Sequence, residues 1–103
     1  MAISRDYHEC LIEDLKDPEE AAAYLDVALE YGDRPAFLLA MRNVIEAQGG
    51  MSKISRETGL NRENLYRALS ENGNPEINSL EKLLKSLGLR LTVEVDRDNN
   101  QAA

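Results

Sequence analysis

The sequence predicts a mainly α chain: a five-helix bundle containing a helix-turn-helix, followed by one C-terminal β-strand. Three observations carry that expectation. Capping residues and glycines punctuate the chain at helix-length intervals. Between them, apolar residues recur every three or four positions. That period falls to two only after Gly88.

Asp17-Pro18-Glu19-Glu20 supplies an N-cap acceptor, a proline at the first helical position, and acids where free N–H groups and the helix dipole favour them. The acidic helix expected over 18–32 carries Ala21, Leu25 and Ala28 on one stripe, with Ala22 and Leu29 beside it. Gly32 stops it. Asp33 and Pro35 restart a helix in which Phe37, Leu38, Met41, Val44 and Ile45 recur at helical spacing until Gly49-Gly50. Ser52 is placed to cap the third helix, SKISRET, in which Ile54 and Thr58 share a face with the small Ser55. Gly59-Leu60 turns the chain, and Asn61 caps a fourth helix with Leu65, Ala68 and Leu69 inward. Gly73-Asn74-Pro75 cannot continue a helix. Asn78, with Glu81 three residues on, opens a fifth segment whose Leu80, Leu83, Leu84 and Leu87 fall on one face.

Beyond Gly88, Leu89, Leu91, Val93 and Val95 alternate with Arg90, Thr92, Glu94 and Asp96, the period of a half-buried strand. A lone strand leaves its backbone polar groups unpaired. Its partner is then the N-terminal segment, another subunit or a bound protein. Residues 8–16 suit a short helix better than a strand. The expected layout is one domain over 1–103: an N-terminal extension at 1–17, the acidic helix at 18–32, a DNA-binding core at 33–88, the strand at 89–96 and a flexible tail at 97–103.

Composition limits the function. The 103 residues carry 12 Lys+Arg against 19 Asp+Glu, a net charge of -7. The charge is unevenly placed: residues 1–49 sum to -7, residues 50–92 to +2 and residues 93–103 to -2. The central block therefore tolerates polyanions while the N-terminal half repels them. Cys10 and His8 each stand alone, which excludes an internal disulfide and a Cys/His metal cluster and fits a reducing compartment. No apolar leader opens the chain and no run approaches a membrane span, so a cytoplasmic location away from membranes is expected. No G-x-S-x-G, P-loop, G-x-G-x-x-G or H-E-x-x-H occurs. Carboxylate pairs such as Glu19-Glu20 read as helix-dipole partners, so neither an enzyme nor a cofactor is expected.

The segment from Met51 to Leu69 fits a helix-turn-helix, in which two helices cross at roughly 90–120° across a three- to four-residue turn. Ser55 is the small residue where the helices touch, and Gly59 tolerates a positive φ in the turn. At about 100° per residue, Leu65, Ala68 and Leu69 share one arc, while Arg62, Glu63, Tyr66, Arg67 and Ser70 take the opposite one. A polar, arginine-bearing helix face suits the major groove. Arg62 and Arg67 can donate paired N–H groups to guanine or neutralise phosphate. Asn61 or Asn64 can read adenine, and Glu63 can accept from cytosine. Ser52, Lys53 and Arg56 are placed for phosphates. Plainer readings stand beside these. Asn61 can be only an N-cap, Arg62, Glu63 and Arg67 a solvated face, and Tyr66 a packing residue.

Three stretches, LKDPEEAAAYLDVALEYGD, AFLLAMRNVIEAQGGMSKISRETGLNRENLYRALSENGNP and INSLEKLLKSLGLRLTVEV, resemble the addiction-module antidote family, the HigA-like antitoxins of toxin–antitoxin pairs. The resemblance covers about residues 8–95. It implies a lambda-repressor-like helix-turn-helix and a homodimer that represses its own operon by binding double-stranded operator DNA. It also implies neutralisation of a small basic ribonuclease toxin. Two other readings remain open: a stand-alone regulator without a toxin, and a helical protein-interaction module that does not bind DNA.

Overall fold

The structure is a computed structural model and describes residues 5–98. Six helices follow one another: α1 Arg5–Asp14, α2 Pro18–Tyr31, α3 Arg34–Ala47, α4 Met51–Thr58, α5 Arg62–Ala68 and α6 Ile77–Ser86. This corrects the expected architecture twice. There are six helices rather than five, and no strand forms among the described residues.

The sixth helix is α1. Its half-buried Leu11 and Ile12, with the buried Leu15 just beyond its end, lay one apolar edge on α3. Three polar contacts hold it and the chain just after it there. His8 Nε2 lies 3.1 Å from Glu46 Oε2, and Gln48 Nε2 donates to the carbonyls of Leu15 and Lys16 at 3.4 and 3.2 Å.

The missing strand has a related cause. Leu89 packs on the core and donates its N–H to the Leu84 carbonyl at 2.7 Å. Residues 90–96 then run without regular structure, and Val93 is 98% exposed. Period-2 alternation makes a strand only where a neighbour supplies ladder partners. The N-terminal segment, the candidate within the chain, spends its backbone groups on its own helix. Residues 97 and 98 have helical backbone, and the rest of the expected tail, like residues 1–4 of the expected extension, lies outside the described residues.

Helix ends follow the capping logic in part. The Asp17 carboxylate accepts the Glu19 N–H at 3.0 Å, and that of Asp33 accepts the Ala36 N–H at 2.9 Å. Gly32 ends α2 with φ -99°, so no left-handed turn is involved. Close approach is the reason for glycine here: a Cβ would stand 2.6 Å from the Ala28 carbonyl oxygen. Ser52 and Asn78 are not caps. Gly50 and Glu76 take those positions without a side-chain cap bond, and both polar residues lie inside their helices.

α3 is the central element, packing against α1, α2 and α4, with α4 in turn against α5 and α6. Its Leu38, Ala40, Met41, Val44 and Ile45 are buried and meet Leu25, Ile54, Leu69, Leu83 and Leu87 in one core. Two neighbouring α3 residues reach outward from that core. Arg42 Nη1 donates to the Leu69 carbonyl at the end of α5. Asn43 Nδ2 donates to the Tyr24 hydroxyl of α2 at 2.9 Å.

Candidate nucleic-acid interface

The bend between α4 and α5 rests on one backbone conformation. Gly59 has φ 76° and ψ 4°, left-handed geometry that side chains disfavour, and its N–H bonds the Ser55 carbonyl at 2.9 Å. Three further bonds close the turn. The Ser55 hydroxyl donates to the Leu60 carbonyl at 2.6 Å, and the Thr58 hydroxyl donates to the Ile54 carbonyl at 2.8 Å. The Thr58 oxygen also accepts the Leu60 N–H at 3.2 Å. Ser55 is thus more than a small residue at a crossing: its hydroxyl satisfies a half-buried carbonyl that an alanine would leave unpaired.

Asn61 opens α5, its side-chain oxygen accepting the Asn64 N–H at 3.0 Å. Leu65 and Leu69 are buried and Ala68 half-buried, so the inner face is the apolar one. Arg62, Glu63, Asn64, Tyr66 and Arg67 are all exposed on the helix, as is Asn61 at its cap. The Arg62 guanidinium stands 5.6 Å from the Tyr66 ring centroid, a cation–π approach one turn apart that gives this arginine a preferred direction at the surface. Asn61, Asn64 and Arg67 also border a groove that runs between α5 and the polar loop at residues 70–76.

The residues of α4 differ among themselves. Arg56 is exposed, and Ser52 is half-buried in the first turn. Lys53 is partly engaged within the molecule: its ammonium donates to the Gln48 carbonyl at 3.1 Å and lies 3.7 Å from Glu57. Glu57 in turn accepts from the Ser86 hydroxyl at 2.9 Å, tying α4 to α6. No side chain caps the first turn of α4, where Lys53 stands, whereas Arg56 lies in the last turn.

Sequence reading missed two positioning residues. Thr58 carries a local signal, a hydroxyl directly before the turn glycine, where it can serve both the preceding carbonyl and the following N–H. Arg42 carries none, because its partner lies 27 residues away. A third correction concerns α2: Ala22 is exposed and Leu29 is 60% exposed, so the stripe beside the core faces out.

Comparison with known proteins gives this geometry a context. The model of the family described as "Probable addiction module antidote protein" matches residues 8–95. The chain belongs to that family. The match takes in all of α2 to α6 and most of α1, so it extends well beyond the two helices of the bend. An uncharacterized protein of Haemophilus influenzae (strain KW20 / Rd) is 36% identical over 85 residues, spanning 82% of this chain and 87% of that one. No solved structure matches. An antidote family implies a toxin partner and suggests a regulatory role. No helix among the described residues is long and apolar enough to cross a membrane.

Proposed function

We propose that this protein is a HigA-like antitoxin that acts in the cytoplasm, represses its own operon as a DNA-bound homodimer and neutralises a small ribonuclease toxin. DNA reading rests on one observation above all: α5 presents Arg62 and Arg67 outward from a left-handed bend at Gly59. In this reading Arg62 and Arg67 take guanine edges or phosphate, Asn64 and Glu63 take base edges, and Tyr66 steadies Arg62. The uncapped first turn of α4, with Ser52 and Lys53, takes phosphates, as does Arg56 in its last turn. Asn61 holds the start of α5 as its cap and borders the same face. One short helix gives modest affinity, so two copies reading half-sites about 34–36 Å apart supply the rest.

Titration of the protein against its own upstream DNA tests this. Arg62→Ala and Arg67→Ala should each weaken operator binding by ~1–3 kcal/mol if they contact bases. Unchanged binding by the double variant removes α5 as the reading element. The net charge of -7 favours a second reading, a protein-interaction module that never binds DNA. It expects no salt-dependent retention on any duplex, the upstream DNA included.

A further inference from the structure

The surface of α2 is unusual for a helix on the outside of a small protein. It contains no Lys or Arg, and three of its large apolar side chains face solvent: Val27 at 57%, Leu29 at 60% and Tyr31 at 84% exposed. Glu19, Asp26 and Glu30 run as a stripe between Leu29 on one side and Val27 on the other, and none of them forms an ion pair with a described side chain. Beside that stripe, α2 and the chain after α6 enclose a groove. Ala22, Asp26 and Leu29 of α2 line it together with Phe37 of α3, Leu84 of α6, and Arg90 and Leu91 beyond α6.

We propose that this face of α2, with its adjoining groove, is the docking surface for a basic protein partner. The partner seats an apolar side chain between Leu29 and Leu91 and sets Lys or Arg side chains against Glu19, Asp26 and Glu30. The inference rests on the antitoxin reading above and adds to it the place and chemistry of the contact. Charge selects the occupant. A second copy would bring the same unrelieved acids against themselves, whereas a cationic surface neutralises them and is steered toward them. Exposed apolar side chains rimmed by charge supply what long-range attraction lacks, a desolvated centre that slows dissociation. The proposed DNA-reading residues lie on other elements, α4 and α5, so both ligands can be held by one chain.

The test uses the full-length chain and the purified product of the open reading frame beside its gene, with binding followed by calorimetry across a salt series. Thermal unfolding of each variant is recorded first, and Glu30→Lys, at an exposed position, carries the test should Leu29→Lys not fold. Leu29→Lys and Glu30→Lys should each weaken binding about tenfold or more. Glu81→Lys, the same charge change on α6, should leave it unchanged. Wild-type affinity should fall as salt rises. Wild-type binding matched by both α2 variants overturns the surface and leaves the antitoxin reading standing. No binding by the wild-type chain overturns the antitoxin reading itself. Loss of self-association in Leu29→Lys, with partner binding intact, assigns the face to a second copy and also overturns the proposal.

Discussion

Gly59 shows how much of a site can rest on one residue. Its position has open space where a Cβ would go, so replacement meets no clash and the whole penalty is backbone strain at φ 76°. Gly59→Ala should therefore cost about 1–2 kcal/mol, read as a lower denaturant midpoint. The site's outward residues were legible one by one, because 100° per residue separates Arg62 and Arg67 from Leu65 and Leu69 without reference to any other element. The supports of the site were not. Arg42 reaches a carbonyl 27 residues away at the end of another helix, a choice made by tertiary packing that no local spacing encodes.

At the scale of elements, strong local signals survived and partner-dependent ones did not. α2 and α3 begin at Asp17 and Asp33, whose carboxylates accept first-turn N–H groups three or fewer residues away, so everything needed lies within the segment. α1 is marginal by pattern and becomes a helix because α3 offers Leu11, Ile12 and Leu15 a surface. Residues 89–96 have a clear alternation yet form no regular structure, since strand formation depends on a second segment. The part of this stretch beyond Arg90 is expected to be separable from the core. Truncation after Arg90 should shift unfolding free energy by under about 1 kcal/mol, because Leu89 keeps its packing and its bond to Leu84. A larger loss in chemical denaturation would show that the chain beyond Arg90 contributes to the bundle.

For the molecule as a whole, stability and both proposed surfaces converge on α3. Met41 is fully buried at its centre, and Met41→Ala should lower unfolding free energy by ~2–5 kcal/mol through lost burial and the cavity left behind, measured by urea denaturation. The uneven charge has a plain structural basis at this scale: the N-terminal half with its net of -7 supplies α1 to α3, and the +2 block supplies α4 to α6. Overall acidity and a local cationic face are compatible because different helices present them.

The neighbours Arg42 and Asn43 on α3 have a consequence for genetics. One braces the end of α5 through Leu69, and the other braces α2 through Tyr24. Defects on either outer helix should then disable one of the two proposed surfaces, while lesions on this shared spine damage both together.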